Sequence, residues 1–159
     1  MLRRFGLTLT LLLGLVVALG CSSSSSDVKT LGGTPSDDGA TRVEERDGIT
    51  VEARWLTEAE LAHVDVDLQQ YPPGAFVLME LALDTHSGDL NEIELPGAAT
   101  LRRGPAEEAA EAWVSKSDDS HHRSGVLVFR RLSESGPVEL ALSVAGEAVV
   151  LLWETPPEA

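Results

Sequence analysis

Four histidines, a set of acidic side chains around one glycine and a single cysteine are the residues here whose types could support chemistry. His121 and His122 sit in Ser117-Asp118-Asp119-Ser120-His121-His122-Arg123, where imidazoles beside carboxylates are the donor types that hold zinc or copper. Neighbours on an extended chain point to opposite sides, so one ion seldom takes both rings, and His63 and His86 would have to come in from elsewhere. Asp84, Asp89 and Glu92 gather oxygen ligands around Gly88. Their spacing departs from the calcium-loop pattern D-x-[DN]-x-[DN]-G, and a turn capped by Asp side chains explains them with less. No serine stands in a Gly-x-Ser-x-Gly setting, and Leu31-Gly32-Gly33 has no following helix to make a phosphate loop. Trp55 and Trp153 have apolar neighbours and read as core, whereas Trp113, in an acidic segment, is the candidate partner contact. The expectation is no catalytic residue, no cofactor and no metal, with His121 and His122 kept as ligands for an alternative metal-binding reading.

The 159 residues carry 12 Lys plus Arg against 26 Asp plus Glu, a net charge of −14, and suit one domain. That balance opposes a phosphate backbone, so nucleic acid is excluded as a partner. One thiol leaves no internal disulfide and no Cys-rich zinc site.

The cysteine ends an uncharged apolar run from Phe5 to Gly20 that follows Arg3 and Arg4. The run is shorter than the ~20 apolar residues of a membrane-spanning helix and suits the core of a signal peptide. Val17-Ala18-Leu19-Gly20-Cys21 resembles the lipobox of bacterial lipoproteins, with Ala18 and Leu19 where the common pattern has Leu and a small residue. The resemblance implies a signal peptide over 1–20, cleavage after Gly20 and acylation (diacylglycerol, palmitate) of Cys21. Several acyl chains hold a protein firmly to a bilayer, and Ser22 in place of Asp resembles the outer-membrane sorting pattern of a Gram-negative host. Cleavage would remove Arg3 and Arg4 and take the net charge from −14 to −16.

Residues 21–40 read as a disordered tether: the run Ser22 to Ser26 and the Gly, Pro and Asp that follow bury nothing, and coil scaling spans roughly 25 Å. From Thr41 the period is two. Ile49–Trp55 alternates, Phe76–Leu83 reads as a central strand, and Asn91–Leu95 as a short one. Ser124–Arg131 and Val138–Val144 read as a pair, and Ala148–Trp153 closes a domain over 41–155, leaving 156–159 as a disordered tail. Thr57-Glu58-Ala59-Glu60 fits a capping box for a helix over Glu58–His63. Pro105–Trp113 favours a short helical turn, with a polar edge strand around Glu111–Val114 as the alternative. Turns every eight to twelve residues predict a β-sandwich or barrel.

A strand ending at Trp55-Leu56, a capped helix, a central strand, then Gly125-Val126-Leu127-Val128-Phe129 and Glu139-Leu140-Ala141-Leu142 resemble the telokin-like, immunoglobulin-like domains of unknown function in bacterial lipoproteins. The resemblance covers roughly Gly48 to Glu154 and implies packing roles for Gly125 and Phe129 and no catalytic residue. The expected protein is thus mainly β, an immunoglobulin-like β-sandwich with one or two short helices behind a signal peptide and tether. It would act as a lipid-anchored, non-catalytic binding or assembly module of the cell envelope, contacting the membrane through its lipid and an envelope protein through its surface. The alternatives are a periplasmic metal-binding protein using His121 and His122 with acidic residues, and an envelope enzyme.

Overall fold

Alternation over Ile49–Trp55 places Val51, Ala53 and Trp55 on one side of a strand, and all three are buried. The computed structural model describes residues 34–35 and 39–157. Among these residues ten strands form: β1 (Thr34–Pro35), β2 (Thr41–Arg46), β3 (Ile49–Trp55), β4 (Phe76–Thr85), β5 (Ala99–Arg103), β6 (Ala106–Ala109), β7 (Ala112–Asp118), β8 (His122–Arg130), β9 (Val138–Val144) and β10 (Glu147–Trp153). One sheet has the order β1-β2-β3-β4-β8-β7 and the other β10-β9-β5-β6, with every pairing antiparallel. The two sheets enclose one core that includes Leu81, Phe129, Leu140, Leu151 and Trp153, as a β-sandwich does.

Two turns take two residues each, with positive φ at both: Asp47 (50°) with Gly48 (75°), and Ala145 (51°) with Gly146 (83°). This is the requirement of the type I′ hairpin, whose twist matches its strands. The capping box also forms: Glu60 accepts from the Thr57 N–H and hydroxyl, both at 2.8 Å, at the start of α1 (Glu58–Leu61). Residues 57–75 then lie over the outer face of the larger sheet. There Leu61, Val64, Val66, Leu68 and Tyr71 cover Leu56, Leu78, Val126 and Val128 in a second apolar layer.

Three expectations are corrected. Asn91–Leu95 is not a strand: Asp89 accepts from the Asn91 N–H and caps a single 3₁₀ turn, Leu90–Glu92. Pro105–Trp113 is not helical. Gly104 (φ 57°) turns the chain so that β6 returns along β5, with Arg102 beside Glu107 at 2.7 Å, and this pairing outweighs alanine-rich helix propensity. The strands around 124–131 and 138–144 form, but they do not pair. β8 lies between β4 and β7, β9 lies between β10 and β5, and the connection through Gly136-Pro137 crosses between sheets. In addition, Thr41–Arg46 is a strand unrecognised in sequence, and Thr34–Pro35, inside the span read as tether, pairs with it.

Both flanks of the sandwich are tied. On one, the chain passes from β6 to β7, with the Ala110 N–H on Ala99 O (3.0 Å) in one sheet and the Glu111 N–H on Val128 O (2.8 Å) in the other. On the other, the buried Arg42 of β2 donates to Leu152 O of β10 (2.7 Å), and to Gly39 O (2.8 Å) and Thr41 O (2.7 Å). Its guanidinium also lies over the Trp153 ring.

Candidate functional site

Hairpin ends that meet at one end of a sandwich leave a hollow wherever the connecting segments do not fill it. Here the Asp47-Gly48 turn, the Ala145-Gly146 turn and the segment 87–98 surround a cleft of about 690 Å³, within the usual size range of small-ligand sites. Its floor is apolar, from Ile49, Leu90, Ile93 and Ala98. Asp47, Asp89, Glu92 and Glu94 stand on its rim, all exposed, and no Lys, Arg or His lines it. Among the described residues none of these four carboxylates has an ion-pair partner. The site is acidic at the mouth and apolar at depth.

Two polar side chains, one buried and one nearly covered, hold its walls. The Thr85 hydroxyl lies 3.1 Å from Gly48 O and 2.7 Å from Ser87 O, and accepts from the Ser87 N–H, joining the hairpin turn to the segment after β4. Arg123 of β8 donates through Nη1 to Leu90 O (3.2 Å) and Ile93 O (2.6 Å), and through Nε to Asp118 (3.0 Å). Its stem is nearly covered, and its cationic head lies over the Trp113 ring. The 3₁₀ turn that forms one wall is thus clamped from the neighbouring sheet.

Asp118 in turn has its carboxyl held below the usual carboxylate range, chiefly by the Ser115 hydroxyl and further by Arg123, with burial, the second-largest effect, opposing them. A lowered folded-state value means the group stabilises the fold fully above its unfolded value of about 3.9. That stabilisation disappears as pH falls through the folded value. Urea midpoints of the protein and of Asp118→Asn should therefore differ at pH 6 and converge in acid, once pH has fallen through the lowered folded value. A gap that persists in acid would contradict this. Asp119, fully exposed, is lowered mainly by the His121 backbone N–H.

The other candidates are dispersed. His122 pairs through Nδ1 with Asp84 across β8 and β4, on the exposed outer face of the larger sheet. His121 is exposed beside Ser120, and its carbonyl accepts from Thr85. Among the described residues no three His, Cys, Asp or Glu side chains are grouped to hold a metal. Of the acids grouped around Gly88, Asp89 and Glu92 reach the cleft and Asp84 does not. Trp55 and Trp153 are core, at 3% and 0% exposure, with their rings edge to face. Trp113 is half-buried, packed against the core and close beside Gly125. Gly20 and Cys21 lie outside the described residues, and among the described ones no helix is long and apolar enough to cross a membrane. Asp47, Glu94, Thr85 and Arg123 had gone unnoticed as site residues, although the Asp47-Gly48 dipeptide is a hairpin signal that could have found the first. No protein-family model, curated protein or solved structure matches the chain.

Proposed function

We propose that this chain is a lipid-anchored, extracytoplasmic β-sandwich that binds a partner of the cell envelope and performs no catalysis. The cleft carries the reading. An apolar floor under four unpaired carboxylates fits an extended cationic group, such as the methylene stem and charged head of Lys or Arg in a peptide. The lipobox-like segment ending at Cys21 supports placing that activity at a membrane.

Tetralysine titrated into the lipidated protein in detergent should bind saturably, more weakly at high salt. Glu92→Lys with Glu94→Lys should weaken it by on the order of tenfold, as two reversed rim charges would. Equal affinity in the double variant would remove the cleft from the reading. Labelled palmitate should enter the protein and be lost in Cys21→Ala, and unchanged incorporation would remove the anchor.

A further inference from the structure

The cleft has two kinds of wall. The Asp47-Gly48 and Ala145-Gly146 turns are two-residue hairpins, fixed by the ladders that run into them from both sides. Segment 87–98 has no such ladder: β4 ends at Thr85, β5 begins at Ala99, and a single 3₁₀ turn lies between them. Yet this segment carries three of the four rim carboxylates, Asp89, Glu92 and Glu94, and the floor residues Leu90, Ile93 and Ala98. Three negative charges so close along the chain repel one another and favour no single spacing of their own. Bonds from outside the segment therefore set where its carboxylates stand. At its ends, the Thr85 hydroxyl holds Ser87, and the Ala98 carbonyl accepts from the Ser143 N–H (2.9 Å). Its middle is held from β8 and the loop before it. The Leu90 N–H donates to Ser120 O (2.8 Å), and Arg123 donates to Leu90 O and Ile93 O, the carbonyls on either side of Glu92. The guanidinium is itself fixed by Asp118 and lies over the Trp113 ring. One planar fork thus ties three points, a geometry that an ammonium on a flexible stem does not reproduce.

We infer that Arg123 is the positioning residue of the cleft: without touching the ligand, its guanidinium fork fixes Glu92 and its neighbours at the spacing that a Lys- or Arg-bearing segment requires. The inference rests on the cation-binding reading above and adds the residue that sets affinity at that site. A wall that leaves its place part of the time lowers the apparent affinity by the fraction of time it is competent. The effect belongs to the carboxylates of segment 87–98. Asp47 stands on a hairpin turn that Arg123 does not hold.

The test is tetralysine binding to the full lipidated chain in detergent, with Arg123→Met, which keeps the covered stem and removes the fork. Affinity about fivefold lower is expected, as when a competent wall is populated roughly one-fifth of the time. The weakening by salt should be kept, because all four carboxylates remain. Arg123→Lys should not restore the affinity, and full restoration would overturn the fork in favour of charge alone. The deciding measurement is a pair of double-mutant cycles. Glu92→Gln should cost less in the Arg123→Met background than in the unaltered protein. Asp47→Asn, on the opposite turn, should cost the same in both. An equal Glu92→Gln cost in the two backgrounds overturns the inference. So does a cost reduced alike for Glu92 and Asp47, which marks general loosening of the fold. Should Arg123→Met not fold, Asp118→Asn replaces it in both cycles, since it frees the Nε of the fork, and the same pattern is expected at smaller size. Undiminished affinity in Arg123→Met, while Glu92→Lys plus Glu94→Lys still weakens binding, overturns this inference and leaves the binding reading standing. Binding indifferent to that charge reversal in the protein that keeps Arg123 overturns the reading and the inference together.

Discussion

Gly125→Val should abolish folding, and Gly125→Ala should cost about 1–3 kcal/mol, as overpacking of a well-filled interior does. Gly125 lies in β8 between Leu81 of β4 and Ser115 of β7. A Cβ there would sit 2.5 Å from Val114 O and 2.8 Å from two atoms of the Trp113 ring. Glycine inside a strand forfeits roughly 0.5–1 kcal/mol relative to alanine, so its place here is steric. The ring alone could swing away, but the carbonyl belongs to β7 itself. Moving it strains the ladder next to the bulge between Ser115 and Ser117. Chemical denaturation of Gly125→Ala, alone and with Trp113→Leu, separates the two contacts. The double variant should recover part of the loss and not all, because the carbonyl remains. An unchanged midpoint in Gly125→Ala would refute the close approach.

Trp153→Ala should cost about 3–5 kcal/mol, the usual penalty for emptying a large aromatic site. The side chain is fully buried, packs edge to face with Trp55, and lies under the Arg42 guanidinium. Its indole N–H donates to Ala40 O at 2.7 Å, an acceptor shared with the Trp55 N–H at 3.1 Å. Trp153→Phe keeps most of the volume and removes the donor, so it should lose about 1 kcal/mol. Hydrogen exchange gives a second readout: amides of β2 should gain exchange more than those of β5, because Ala40 and Arg42 both depend on the lost ring. Uniform acceleration across both sheets would place the effect in global stability alone.

Strand alternation, turn spacing and the capping box made the sandwich legible, because each is a local pattern that the final packing also satisfies. The failures occurred where partners distant in sequence decided the outcome. PAEEAAEAW has helical composition, yet a Gly104 turn and the ladders of β5 and β8 recruit it as strand. Thr41–Arg46 has Val43 as its one apolar residue, and its Arg42 is buried against the Leu152 carbonyl, 110 residues away, and the Trp153 indole. The cleft was the least legible feature. Asp47, Asp89 and Glu94 are ordinary acidic residues among 26 until three connections meet. Sequence singled out Asp89 and Glu92 for a metal reason, while their shared wall is set by an arginine some thirty residues downstream.

The flanks bear on a hazard that the proposed lipid anchor would bring. Proteins confined to a membrane plane meet edge to edge at high local concentration, where an open strand can recruit its neighbour and start a polymer. Each outermost strand here carries an obstacle to that. β1 is two residues long and holds a proline, which has no N–H to offer. β7 is interrupted by a bulge at Lys116, and β6 is four residues with two glutamates. On β10, Arg42 already occupies the Leu152 carbonyl. Anchored as proposed, crowded copies should stay separate domains and not join strand to strand.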